Sequence, residues 1–203
     1  MTRSLTLLAT PLFLLAACGG SSSGGAGVLV APEFGAANVN NDGSIDTILI
    51  NKLTGSEVNA NGVGFGYVVG GYPDVLGAGG FSGLTDATNL TGALPSGTAS
   101  MQGVYRVGEI DDMAIQDGVV TGTTTQAGGL ITLTADFDNA TLTGNHNDLT
   151  VNGTFFGNAL DGTVTFNGLS GDLEGQINGT RAVGAFAGGD ADTVYAGGFL
   201  VDE

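Results

Sequence analysis

The fold is decided by residues 149–178, LTVNGTFFGNALDGTVTFNGLSGDLEGQIN, in which apolar and polar side chains alternate between turn residues. In the first segment Leu149, Val151 and Phe155 lie on one side of an extended chain, and Thr150 and Asn152 lie on the other. A period of two residues is typical of half-buried β-strands, and Asn-Gly or Asp-Gly pairs between such segments are typical of hairpin turns. The stretch therefore predicts antiparallel β-hairpins.

The same pattern extends over residues 96–203 and predicts eight or nine short strands. They are residues 101–110, 118–126, 130–137, 140–145, 149–156, 162–167, 172–178, 182–187 and 194–201. Tight turns are predicted at Asp117-Gly118, Asp161-Gly162, Asn167-Gly168 and Asn178-Gly179. An open sheet of this size would expose one apolar face and two unpaired edges, whereas about eight strands close into a barrel that side chains fill. We therefore predict an all-β protein with a C-terminal antiparallel barrel of eight (eight or nine) strands, closed by pairing of the last strand with the first.

The inward positions of these strands define a predicted core. Its members are Tyr105, Val107, Ile131, Leu133, Phe137, Leu142, Leu149, Val151, Phe155, Val164, Phe166, Leu173, Ile177, Phe186 and Phe199. A barrel filled by these side chains has no ligand cavity, so we expect a partner to be met by loops or by the outer wall. We also expect the barrel to fold without residues 26–94.

The charge of the chain is one-sided. Its 203 residues include 20 Asp and Glu but only 4 Lys and Arg, which gives a net charge of −16. Such a surface repels phosphate backbones because it has few cations that could displace counterions. Nucleic acid is therefore excluded as a partner, and a cationic protein, a divalent cation or simple solubility are the interpretations that remain.

Residues 1–17 have the layout of a secretory signal peptide, with Arg3 ahead of a short apolar run. The sequence Leu15-Ala16-Ala17-Cys18 resembles the bacterial lipobox, and this resemblance implies that Cys18 becomes the N-terminus and carries acyl chains such as palmitate. The alternative is an Ala-x-Ala cleavage site beside an unrelated cysteine. The residue after the cysteine is Gly19 and not Asp. By the sorting rule of bacterial lipoproteins, this choice favours the outer membrane. Residues 18–27 are predicted to be a Gly/Ser tether.

Residues 28–95 are predicted to form a smaller, Gly-rich N-terminal β lobe with strands at residues 47–53 and 63–70. The stretch from Asn38 to Asp46, NVNNDGSID, is similar to the calcium loop of an EF-hand. Leu49, however, stands where a bidentate carboxylate belongs. A turn ahead of a strand is the favoured interpretation.

Several segments of the barrel resemble a known family. Residues 135–144 (ADFDNATLTG), 155–157 (FFG), 185–188 (AFAG) and 195–199 (YAGGF) are similar to the C-terminal barrel of transferrin-binding protein B and related surface lipoproteins. The resemblance covers about half of the chain and implies a β-barrel beside a small lobe, anchorage at the outer membrane, and binding of host proteins such as transferrin, haemoglobin or complement regulators. No transferrin-contacting residue has a match in this chain.

The sequence contains few candidate catalytic or metal-binding residues. The single His146 falls in a polar turn, and no nucleophile motif such as G-x-S-x-G occurs. We therefore expect no enzyme activity, no cofactor and no metal site, and we expect a lipid-anchored binding module for a protein or iron-carrier partner at the cell surface. The alternatives are a structural envelope lipoprotein and a calcium-dependent adhesin. A surface binder should expose aromatic side chains on its loops, for which Tyr72, Phe81 and Phe156 are the candidates, whereas a structural protein should bury them.

Overall fold

The structure is a computed structural model that describes residues 30–117 and 119–203. The predicted signal peptide, Cys18, the tether and Gly118 lie outside the described residues. The elements of the described part are β1 (Glu33–Ala36), β2 (Ile50–Val58), β3 (Gly64–Gly71), β4 (Ala78–Leu84), β5 (Thr98–Gln116), β6 (Val119–Asp136), β7 (Thr141–His146), β8 (Leu149–Phe156), β9 (Ala159–Phe166), β10 (Leu169–Ile177), β11 (Arg181–Gly189) and β12 (Val194–Asp202). No helix in these residues is long and apolar enough to cross a membrane.

Strands β5–β12 form a closed barrel in the order β10-β11-β12-β5-β6-β7-β8-β9. Strands that follow one another in the chain pair as antiparallel neighbours. The last strand, β12, pairs with the first, β5, so that Phe199 lies opposite Tyr105. The prediction of an all-β chain with an eight-stranded antiparallel barrel is therefore confirmed.

Two of the nine predicted strands are one strand in the structure. The segments predicted at 118–126 and 130–137 both belong to β6, which stays paired with β5 across Gly128 and Gly129. Gly129 lies opposite Tyr105, and a Cβ atom there would come within 3.4 Å of the Tyr105 ring. The glycine thus makes room for an inward aromatic ring and marks no turn.

One predicted turn is wrong for a related reason. Asp161 and Gly162 lie inside β9, where a Cβ atom on Gly162 would come within 2.7 Å of the Cα atom of Gly153 on the neighbouring strand. Glycine at this position allows two backbones to approach, and the chain turns before it, at Gly157, which has a φ of 57°. The turn predicted at Asn167-Gly168 is confirmed, since both residues have positive φ.

The interior of the barrel is a single apolar core. Of the predicted core residues only Phe137 is merely half-buried, and it packs against the cluster that the others form. The prediction missed six further core residues, namely Met101, Ala135, Leu160, Ala182, Tyr195 and Val201.

The N-terminal strands form a separate four-stranded sheet in the order β1-β4-β3-β2. Of the two strands predicted here, β3 agrees closely, whereas β2 begins at Ile50 and not at residue 47. Phe65 and Tyr67 of this sheet pack on Val183, Ala196 and other outward residues of the barrel in a second buried cluster. The sheet therefore covers one side of the outer wall.

Candidate interaction surfaces on the outer wall

One end of the barrel interior is closed by polar side chains. Glu109 points inward and is only 7% exposed. Its carboxylate accepts hydrogen bonds from Thr125 Oγ1 at 3.1 Å and from Asn167 Nδ2 at 3.0 Å. Asn167 belongs to the β9–β10 turn on another part of the barrel wall, so this contact spans the opening. The signal that could have found Glu109 is its position two residues after Val107 in the inward row of β5.

Tyr195 adds a second polar contact near this end. Its hydroxyl donates to the carbonyl oxygens of Leu169 at 3.1 Å and Val164 at 3.3 Å. Burial, followed by the negative charge of Asp172, raises the pKa of Tyr195. In the described residues, each buried side-chain nitrogen and oxygen has a hydrogen-bond partner. The interior therefore offers no unsatisfied group to a ligand.

A groove of about 330 Å³ lies between the sheet and the barrel wall. One side is formed by β1 and the end of β4, with Phe34 and Ala36 on β1. The floor includes Ala185 and Ala187 of β11, and the opposite side is β10. Its volume lies at the lower end of the range of small-molecule sites. We call this feature the β1–β10 groove.

Carboxylates line the β10 side of the groove. Asp172 and Glu174 are exposed and occupy alternate positions of β10, which places them on the same outer face. Glu174 also lies opposite Asp161 of β9 in the ladder. In the described part of the chain, the ion pairs are Arg106–Glu57 and Arg181–Asp202, and neither involves this group. We call Asp161, Asp172 and Glu174 the acidic ridge.

The three aromatic residues proposed from the sequence differ in exposure. Phe156 is 92% exposed at the end of β8, beside the β8–β9 turn, as expected for a surface binder. Tyr72 is half-buried, and its hydroxyl donates to Glu33 at 2.7 Å. Burial, and then this bond to a carboxylate, raise the pKa of Tyr72 to about 12. Phe81 is half-buried within β4, so it lies on a strand and not on a loop.

A second hollow, of about 510 Å³, lies at the end of the barrel where the β6–β7 and β10–β11 turns are. Leu94, Pro95, Phe137, Gly179 and Glu203 are among the residues that line it. Phe156 belongs to the same end of the barrel, because Asn158 in its turn donates to the carbonyl of Ile177.

The loop that is similar to an EF-hand folds as a compact turn. Gly43 has a φ of 83°, and Asp42 Oδ1 accepts hydrogen bonds from the Ser44 amide at 2.9 Å and the Ser44 hydroxyl at 2.6 Å. These bonds, the hydroxyl contact first, hold the pKa of Asp42 below its ordinary value. The predicted turn ahead of a strand is confirmed, since Ile45 forms a bridge with Val39 and β2 follows.

His146 lies at the end of β7 with its ring 5.7 Å from that of Tyr105. Over residues 30–117 and 119–203, no three His, Cys, Asp or Glu side chains are grouped so that they could hold a metal ion.

The chain is similar in part to solved structures of another protein. No protein-family model and no curated protein matches the chain. A structure of the apo haemoglobin receptor HpuA from Kingella denitrificans is 15% identical with a TM-score of 0.32, and the match covers 54% of this chain and 43% of the receptor chain. The structure of the same protein in complex with human haemoglobin is 16% identical with the same TM-score and coverage. The match spans less than half of the receptor chain, and we draw no functional conclusion from a TM-score this low.

Proposed function

We propose that this protein is a lipid-anchored lipoprotein of the bacterial outer membrane, displayed at the cell surface, and a non-enzymatic binding module for a protein or iron-carrier partner. The observation that supports the binding role best is that the open groove lies on the outer wall of the barrel and not in its interior. The barrel interior is filled and hydrogen-bonded, whereas an open groove lies on its outer wall. The partner therefore meets the outer wall.

The anchor and the location are supported by the lipobox-like Cys18 and by Gly19 after it. Acyl chains contribute about 0.8 kcal/mol per buried methylene group, so two or three chains hold a protein firmly on a membrane. The nature of the partner is supported by the resemblance of residues 135–144 and 195–199 to the transferrin-binding protein B barrel.

The test is binding of human haemoglobin and human transferrin to the full-length lipidated protein in detergent, measured by biolayer interferometry. We expect saturable binding of at least one carrier. Ala36→Arg, which fills the exposed edge of the groove, should abolish that binding, and Ala114→Arg, at an exposed position of β5, is the matched control. Unchanged binding by the Ala36→Arg variant would show that the carrier does not bind in the groove. Absence of binding to either carrier, together with no capture of a serum protein by intact cells, would contradict the binding role.

A structural envelope lipoprotein is the second candidate, and the half-buried state of Tyr72 and Phe81 favours it. The calcium-dependent adhesin can be separated from both by a thermal melt. Ligand binding stabilises the folded state by mass action, so a midpoint unmoved by millimolar calcium is expected for a turn without bound calcium. A rise of several degrees would favour the adhesin.

A further inference from the structure

We propose that the β1–β10 groove binds an extended, cationic segment of a partner protein, which adds to the free edge of β1 as an extra strand and places Lys or Arg side chains against the acidic ridge. This inference rests on the proposed binding role and names the chemistry of the partner at one site.

The first argument is the open edge of β1. In the described part of the chain this strand pairs with β4 and with no other strand. Ala37 donates its amide to Ser82 on β4. Because successive residues of a strand direct their backbone groups to opposite sides, the N–H and C=O of Ala36 and of Phe34 face away from β4. Unpaired backbone groups on an edge are a template for another strand, and proteins use such edges to bind peptides.

The second argument is the space beside this edge. The groove extends from Phe34 and Ala36 over the alanines of β11 to β10. Ala185 and Ala187 have small side chains, so the floor leaves room for the side chains of an added strand. Phe34 is 40% exposed and offers an apolar contact at one end.

The third argument is the charge of the far side. Asp161 and Glu174 lie directly opposite each other in the β9–β10 ladder, and like charges in that arrangement destabilise a sheet. Asp172 lies two residues before Glu174 on the same face, and none of the three residues forms an ion pair with Lys52, Arg106 or Arg181. A partner that brings positive charge relieves this repulsion, and charge complementarity selects the cationic partner.

The experiment uses synthetic peptides and the full-length protein in detergent. The probe is a hexapeptide in which Lys alternates with Val, labelled with a fluorophore and followed by anisotropy. One control peptide has Glu in place of each Lys. The other has N-methylated amides on the residues that would pair with β1. We expect the Lys peptide to bind saturably, more weakly as the salt concentration rises, and neither control peptide to bind.

Two variants assign the binding to the groove. Asp172→Asn with Glu174→Gln should weaken binding about tenfold, because two charge contacts are lost. The control, Asp117→Asn with Asp148→Asn, removes the same charge at exposed turns and should leave binding unchanged. Ala36→Pro removes an N–H that β4 does not use, and it should also weaken binding, since proline is tolerated in edge strands.

Equal binding of the Lys peptide to the ridge variant and to its control would overturn the proposal, as would equal binding of the N-methylated peptide. A wild-type dimer that the ridge substitutions dissociate would identify a second copy as the occupant and would also overturn it. Binding that requires removal of residues 19–27 would do the same, because the groove would then hold the protein's own chain. If the Lys peptide fails while an iron carrier still binds, this inference is wrong and the proposed function stands.

Discussion

At the residue scale, many of the 38 glycines mark places where a ring or a backbone approaches the chain closely. Gly198 of β12 is the clearest case. A Cβ atom there would collide with the ring of Phe65 and would come within 2.6 Å of the carbonyl oxygen of Gly184. Phe65 belongs to the N-terminal sheet, so this glycine allows the sheet to lie flat against the barrel wall.

Replacement of Gly198 by Ala is therefore expected to destabilise the protein by about 1–3 kcal/mol, the usual cost of inserting a methyl group into a packed core. Gly35→Ala is the control, since the nearest atom to its Cβ is 3.8 Å away, in the ring of Phe81. Urea unfolding of both variants measures the difference. Equal midpoints for the two variants would show that Phe65 does not rest on Gly198.

Asp136 is the second residue whose role is testable. It accepts hydrogen bonds from the side chain of Asn139 at 2.8 Å and from the Asn139 and Asp138 amides. These bonds, that of the Asn139 side chain first, hold the pKa of Asp136 below its ordinary value of 3.8. A carboxyl group whose pKa is lowered on folding stabilises the folded state, and this contribution is fully present above pH 3.8. It is lost as the pH falls through the lower pKa of the folded state.

Asn139→Ala should raise the pKa of Asp136 toward 3.8, because it removes the side-chain hydrogen bond that lowers this pKa most. Carbon-detected NMR titration of the carboxyl group measures the pKa directly. The melting temperature of the variant should fall below that of the wild type at neutral pH, and the two should converge in acid below pH 3.8. A gap in melting temperature that persists unchanged in strong acid would contradict this account.

At the element scale, β11 and β12 differ from the other strands of the barrel. Residues 182–188 and 194–201 are buried on both faces, because one face lines the core and the sheet covers the other. Neither strand shows the alternation of β8, in which buried and exposed residues follow one another. Strands of this kind contribute to two cores at once.

Deletion of residues 194–203 is expected to abolish cooperative unfolding and to cause aggregation. The deletion leaves β5 and β11 with open edges and removes Phe199 and Tyr195 from the core. Circular dichroism melting is the measurement. A truncated protein that still melts sharply near the midpoint of the wild type would show that closure of the barrel is not needed for folding.

At the scale of the whole molecule, the sheet and the barrel share a buried interface. Arg106 on β5 pairs with Glu57 on β2 at 2.9 Å, and Gln126 on β6 donates to Tyr67 at 2.7 Å. Both contacts flank the apolar cluster around Phe65. The sequence leads us to expect a barrel that folds without residues 26–94, and this interface leads us to expect that the barrel is less stable when the sheet is removed.

Deletion of residues 30–94 should therefore lower the melting temperature and expose an apolar patch that includes Val183, Ala185, Val194 and Ala196. Increased binding of the dye ANS would report the exposed patch. Lys substitutions at Ala185 and Ala196 in the truncated protein should restore solubility. An unchanged melting temperature and no dye binding would support the original expectation of an independent barrel.

The anchor is tested by Cys18→Ser, which removes the thiol that the acyl chains require. We expect an unprocessed or soluble product in Triton X-114 partitioning, whereas Ser22→Ala, a neutral change in the tether, should leave the protein in the detergent phase. Partitioning that is the same for both variants would contradict lipidation at Cys18.

The sequence by itself determined the local features of this protein. Alternation placed Leu149, Val151 and Phe155 in the core, because successive side chains of an extended chain point to opposite faces. Asn167-Gly168 marked a turn, because both residue types tolerate the positive φ that a tight hairpin turn requires. It also led to the closure of the barrel, since a meander of eight strands has two edges that must pair. Of the three aromatic candidates for an exposed loop position, Phe156 is strongly exposed.

Only the tertiary structure decided which outer faces are covered and where the groove lies. The short strand β1 carries no periodic signal, and it exists because Phe34 and Gly35 lie beside Gly80 and Phe81 of β4, more than forty residues away. The acidic ridge, likewise, joins Asp161 and Glu174 through the register of the β9–β10 ladder. The turn predicted at Asp161-Gly162 would have interrupted this ladder. A glycine in the sequence can mark either a turn or a close approach of a neighbouring backbone. Which of the two roles it has depends on atoms that are distant in sequence.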